Sequence, residues 1–160
     1  MVKRITAVFL LLALLLTGLC GCSTGQELTP AQYRDELESI YNGVLGSYRA
    51  IMDVVIEKDG ALAVGDLTDF DKNCEKYLDS LSAIKKIDPP KKYEARHNAL
   101  ARTLDTMRGY ADAVKEYTKC TTEEQFEQAA EKLRELADSR DFFLEQYFNL
   151  MSELDEDIGA

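Results

Sequence analysis

Apolar side chains return every three or four residues through nearly the whole chain beyond residue 36, and this periodicity constrains the fold more than any other feature. The first series is Leu37, Ile40, Tyr41, Val44, Leu45, Tyr48, Ile51, Met52 and Val55. Alternating steps of three and four place all of these on one stripe of a helix. A second stripe is Leu67, Phe70, Cys74, Tyr77, Leu78, Leu81, Ile84 and Ile87. A third is Tyr93, His97, Leu100, Leu104, Met107, Ala111, Val114 and Tyr117. A fourth is Phe126, Ala129, Leu133, Leu136, Phe143, Tyr147, Leu150 and Leu154. No segment alternates with period two for long enough to predict a strand, and there is no internal repeat. The expected fold is all-α: four amphipathic helices with short connections, packed as an antiparallel up-down-up-down four-helix bundle.

Local signals set the expected boundaries. Thr29-Pro30-Ala31-Gln32 combines a capping residue, a proline at the first helical position and a glutamine that can close a capping box. Lys58-Asp59-Gly60 ends the first predicted helix, and Asp66 opens the second. Asp88-Pro89-Pro90 stops the second, because the residue before a proline avoids the helical region, and Pro90 starts the third. Thr121 with Glu124 reads as a capping box for the fourth. Gly43 and Gly46 lower helix propensity inside the first helix and suggest a close approach or a kink. The helical domain is expected over 29–155, with 156–160 a frayed acidic tail.

Composition narrows the functional classes. Among 160 residues, 29 acidic side chains face 19 basic ones, for a formal net charge of −10. Such a chain repels phosphate backbones, so no nucleic-acid partner is expected. A single histidine excludes multi-histidine metal centres and any catalytic scheme that needs two. Gly-rich phosphate loops and the GxSxG nucleophile elbow are absent from the sequence.

The N-terminus has the anatomy of an export signal. Lys3 and Arg4 precede an unbroken apolar run from Ala7 to Leu16. That run is shorter than the roughly 20 residues a spanning helix needs. Leu19-Cys20-Gly21-Cys22 then resembles the lipobox of bacterial lipoproteins, with leucine at −3, a small residue at −1 and the cysteine that becomes acylated. The resemblance covers the first two dozen residues and implies cleavage between Gly21 and Cys22, with lipid attached to Cys22. Cys20 is a rival site, but Thr17 and Leu19 fit its flanks poorly, and an ordinary secretory signal is the plainer alternative. Segments 1–21 and 22–28 are thus expected to be signal peptide and lipidated tether. The processed chain would keep 160 − 21 = 139 residues with 17 basic and 29 acidic groups. The resemblance implies an extracytoplasmic location at the cell membrane, with two or three acyl chains as anchor. A net charge near −12 would hold the fold off anionic headgroups.

Residues able to do chemistry are few. Asp69-Phe70-Asp71-Lys72-Asn73 mimics the start of a calcium loop, but Cys74 and Ser80 stand where glycine and glutamate belong. Glu94 and His97 have the ExxH spacing of di-iron bundles, which need two such motifs. Haem held by His97 and one of Met52, Met107 or Met151 has no other support, and no cofactor or metal is expected. No nucleophile–base pair appears, so the protein is not expected to be an enzyme. His97 nevertheless falls on an apolar seam. Counted from the proline turn, its level matches Glu38 or Tyr41 on the first helix and Phe143 to Tyr147 on the fourth. His97, Tyr41, Tyr93, Tyr147 and Phe143 are therefore the candidate ligand pocket, at an end that also gathers Tyr33, Tyr77, Phe142 and Phe148. The same count separates Cys74 from Cys120 by about 24 Å at about 1.5 Å per residue, too far for a disulfide. The expected function is a membrane-anchored helical binding or interaction module at the cell envelope, its partner another envelope protein. The alternative is a small-molecule, metal or haem binder using the aromatic pocket near His97.

Overall fold

The computed structural model describes residues 27–159. These residues are mostly helical, with one small antiparallel sheet. In chain order they form α1 (Pro30–Met52), β1 (Val55–Lys58), β2 (Ala61–Val64), α2 (Phe70–Ile84), a 3-10 turn (Lys91–Tyr93), α3 (Glu94–Tyr117), α4 (Glu123–Glu135) and α5 (Ala137–Ile158).

α1 starts as its sequence dictates. Thr29 caps the helix, its hydroxyl accepting from Gln32 N–H at 3.2 Å while Gln32 Oε1 accepts from Thr29 N–H at 3.0 Å, and Pro30 occupies the first turn. The two reciprocal bonds satisfy donors that a helix start otherwise leaves free. Its end differs from expectation. The helix stops at Met52, and Val55, placed on the helical stripe by periodicity, begins a strand. Val54, Val55 and Ile56 are β-branched and favour extended backbone. Asp59 and Gly60 both adopt positive φ, 55° and 79°. That pair matches the two-residue hairpin turn for which Asp-Gly is the strongest short-range signal. Val55 pairs with Val64 and Lys58 with Ala61. Tyr117 of α3 ties the hairpin down by donating its hydroxyl proton to Ala63 O at 3.0 Å.

Other boundaries shift for local reasons. α2 opens at Phe70 rather than near Asp66, because the Asp66 carboxylate accepts from Thr68 N–H at 2.8 Å and holds a turn. α3 opens at Glu94, after the 3-10 turn, rather than at Pro90. The capping box of α4 is Thr122 with Gln125, one residue beyond Thr121 with Glu124. Gln125 Oε1 in that register collects the N–H groups of both Thr121 and Thr122. The single fourth helix expected from Thr121 to Leu154 is two helices, α4 and α5, separated at Leu136. No proline or glycine marks that break; Leu136 sits over Gly109 of α3. The chain end also departs from a frayed tail at 156–160, since α5 runs to Ile158 and Asp157 bonds Lys92 and the Tyr93 hydroxyl.

Side-chain pairs fix how the helices run. Gly43 faces Ser80 and Tyr48 packs on Tyr77, so α1 and α2 are antiparallel. Ser82 meets Arg108 and Lys85 meets Asp105, so α2 and α3 are antiparallel. Arg34 bonds Asp155 and Arg96 bonds Glu153, which sets α5 antiparallel to both α1 and α3. The core runs along the inside of these contacts through Leu37, Ile51, Tyr77, Leu81, Leu100, Leu104, Val114, Phe143 and Leu150.

The register between α2 and α3 is not the one counted from the prolines. A tight turn there would set position 77 opposite 102, whereas the Tyr77 hydroxyl donates to Met107 O at 2.8 Å. The connection is a nine-residue segment, 85–93, that does not reverse at Pro89-Pro90, and every height counted from that point moves with it. Cys74 consequently lies level with the C-terminal half of α3, where the charges of Lys115 and Asp112 act on its buried thiol. The two thiols are free, Cys74 buried and Cys120 half-buried. The expected absence of a bond agrees with this arrangement, but the turn at Pro89-Pro90 from which 24 Å was counted is not there.

Candidate functional site

His97 is set on the buried face of the first turns of α3, with 4% of its surface exposed. Its Nδ1 lies 2.9 Å from the hydroxyl of Tyr33, at the start of α1. Tyr33 is fully buried and its hydroxyl has one proton to place. Donating it to Nδ1 satisfies both groups. The neutral ring then carries its own proton on Nε2. Burial pushes the histidine below its ordinary pKa and the Tyr33 phenol above its own, because both charged forms would be desolvated. The pair is a neutral buried contact. Tyr93 packs beside it, 6.0 Å from Tyr33 between ring centroids, and its hydroxyl donates to Asp157. Burial first, then that carboxylate, raises the Tyr93 phenol to about 12.

The structure divides the five candidate pocket residues into two groups. His97 and Tyr93 lie together around Tyr33. Tyr41, Phe143 and Tyr147 lie elsewhere, on the seam between α1 and α5. There Tyr41 stacks on Tyr147 at 3.9 Å with planes 13° apart, and Phe143 follows at 6.4 Å. Exposed Phe148 meets both tyrosines edge-on. His97 is not level with Tyr41 because of the shifted register; its partners are Tyr33 and, through Arg96 and Tyr93, the last turns of α5. Tyr77, grouped with the same end in the sequence, instead packs on Tyr48 and Met107 farther along the molecule. Cys22 lies outside the described residues.

Beside His97 is an open groove of about 440 Å³, within the range of small-molecule sites. Its floor is Ile87, Pro89 and Ala101. Its polar rim is Glu27, Lys85, Asp88, Lys91, Glu94 and Asn98. Glu27 closes one side by accepting the Lys91 N–H at 2.5 Å. A carboxylate on the first free donor of the 3-10 turn that leads into α3 is favoured by the aligned peptide dipoles. Glu27, two residues before the cap of α1, thus meets the helical domain at the groove. Glu27 and Asn98 went unrecognised in the sequence because neither lies on an apolar stripe. Asn98 carried only one signal, its place beside His97, and Glu27, inside the predicted tether 22–28, carried none.

Among the described residues, no group of three or more histidine, cysteine, aspartate or glutamate side chains is placed to hold a metal ion. Met107 is ten residues beyond His97 on the same helix and Met52 ends α1, so neither faces the imidazole as a second axial ligand. No described helix is long and apolar enough to cross a membrane. Comparison of the chain with protein families, with characterised proteins and with solved structures finds no match to any of them.

Proposed function

We propose that this protein is a lipid-anchored module of the cell envelope that faces the extracytoplasmic side and binds through the groove beside His97. Its helical domain, read at this level as an up-down-up-down four-helix bundle with α4 and the hairpin as additions, is held to the membrane through acylated Cys22. The observation that carries the proposal is the meeting of a buried histidine, an open groove and the N-terminal connection within a few residues. Glu27, five positions after Cys22, is itself part of the groove rim. A ligand or partner in the groove would therefore sit at the membrane-proximal end of the domain. Nothing in the arrangement supplies a nucleophile with a base, and the module is proposed to bind rather than to catalyse.

Two measurements test the two halves. Fatty-acid analogue labelling should mark the native chain and fail on Cys22→Ala; labelling of the variant would overturn the anchor. A photo-reactive amino acid at position 98, on the groove rim, should cross-link in the native envelope, whereas one at position 127 on α4 should not. Equal capture at both positions would remove the groove as the site. A second reading, docking of another envelope protein, is favoured by the exposed Phe148 on the α1–α5 seam, 57% accessible beside the Tyr41–Tyr147 stack. Cross-linking from position 148 rather than 98 would favour it.

A further inference from the structure

Along the seam where Tyr41 stacks on Tyr147, α1, α3 and α5 leave a crevice of about 50 Å³. Its walls are Val44, Met107, Phe143 and Leu144, with Tyr41 at one end and Tyr48 and Arg140 at the other. No carboxylate of the described residues lines it. The Tyr48–Arg140 end also holds an unanswered group. Tyr110 of α3 is 1% exposed, and its hydroxyl is the one buried side-chain polar atom without a hydrogen-bond partner among the described residues. Its ring meets that of Tyr48 edge-on at 5.2 Å. Burial and then Tyr48 push its phenol above the ordinary pKa, while the Arg140 charge pulls the other way. The hydroxyl is therefore protonated and lies near the guanidinium. Arg140 commits Nε and Nη2 to one oxygen of exposed Asp141, at 2.9 and 2.7 Å, and its Nη1 has no partner among the described residues. Donors thus gather at one end of an apolar slot whose own acceptors are only hydroxyl oxygens. A buried donor left unpaired costs stability, and an acceptor bound there recovers it.

We infer that this crevice binds a short-chain monocarboxylate, its carboxylate on Arg140, Tyr48 and Tyr110 and its alkyl chain between Met107 and Phe143. This is a second site, and it depends neither on the groove beside His97 nor on the anchor at Cys22. At about 10–15 Å³ for each water-sized group, the crevice admits about three or four carbons. An alkylammonium would add a donor where donors already meet. An alcohol would fill the slot and answer one hydroxyl, but would bring no charge to the guanidinium. A carboxylate offers two oxygens to the three donors, and its bonds to them are charge-assisted.

The test is a carbon–proton methyl NMR titration of the full chain in neutral detergent at pH 7. The methyl groups of Val44 and Met107 report from the crevice, and those of buried Leu133 on α4 serve as the distant control. The probes are butyrate, butanol and butylammonium. Butyrate should move the Val44 and Met107 resonances saturably at millimolar concentration, with butanol and butylammonium at least tenfold weaker and Leu133 unmoved. Tyr110→Phe and Arg140→Gln should each weaken butyrate binding about tenfold while circular dichroism stays unchanged. Without ligand, Tyr110→Phe should leave the melting temperature unchanged or raise it, because it removes a buried polar atom that nothing satisfies. A fall of several degrees would mean that the hydroxyl already has a partner in the free protein, and would overturn the donor argument. Equal responses to butyrate and butanol would overturn the carboxylate. No response at Val44 and Met107, or one of equal size at Leu133, would overturn the site.

Discussion

The Tyr33–His97 contact is where single atoms matter most. Removing the hydroxyl in Tyr33→Phe strips Nδ1 of its donor inside the core. An unsatisfied buried polar atom costs about 1–3 kcal/mol, and urea unfolding should show a loss of that size. A change under about 0.5 kcal/mol would mean the bond does not form in solution. The same burial dictates a pH response. The folded pKa of His97 lies below its unfolded value of about 6.5. The contribution is therefore complete above pH 6.5 and declines as pH falls from there through the folded value, since the unfolded chain takes up the proton first. NMR titration of the ring should place its pKa below 6.5, and a value at or above that would mean a solvated ring. The thiols provide a second atomic check. In a variant lacking Cys20 and Cys22, half-buried Cys120 should react with a thiol reagent in the native state and buried Cys74 only after unfolding. Two fast-reacting thiols would contradict the packing of α2 on α3.

Glycines show how the elements differ. A Cβ at Gly46 would meet nothing within 4 Å, and the backbone there is helical. Gly46→Ala should therefore stabilise the fold by up to about 1 kcal/mol through helix propensity alone. Gly65, at the exit of the hairpin, is the opposite case. A Cβ would lie 2.9 Å from the backbone oxygen of Asp53, where Gly65 N–H donates to Val54 O at 2.7 Å. Gly65→Ala should destabilise, because backbone rather than a movable side chain must give way. Thermal unfolding of the two variants should move in opposite directions; a shared direction would mean the hairpin does not sit against the end of α1. Leu104, fully buried at the centre of α3, makes the complementary test. Leu104→Ala should cost about 2–5 kcal/mol.

Across the whole molecule, a continuous core links α1, α2, α3 and α5, and α4 and the hairpin pack against the far end of α3. Leu133 is buried, and Phe126 meets Tyr117 edge-on at 5.1 Å. Tyr117 thus joins the hairpin, α3 and α4 at one residue. Unfolding should be a single transition by far-ultraviolet circular dichroism and by tyrosine absorbance. Two separated transitions would identify α4 and the hairpin as an independent unit.

The sequence by itself determined that most of the chain is helical, because burial requires a stripe at the helical period and the four stripes are explicit. It determined the start of α1, because the Thr29–Gln32 box and Pro30 are short-range signals that need no partner. It also carried the hairpin in Asp59-Gly60, but four-residue strands beside a long helical stripe are too short for alternation to show. Tertiary structure decided what depends on distance along the chain. Periodicity gives the face of a helix, not its height, and the nine-residue connection 85–93 moved α3 against α2. That shift paired His97 with Tyr33 instead of Tyr41 and set Cys74 against the C-terminal half of α3. It also put Glu27 and Asn98 at the rim of one groove, 71 positions apart in the chain, where only packing could join them.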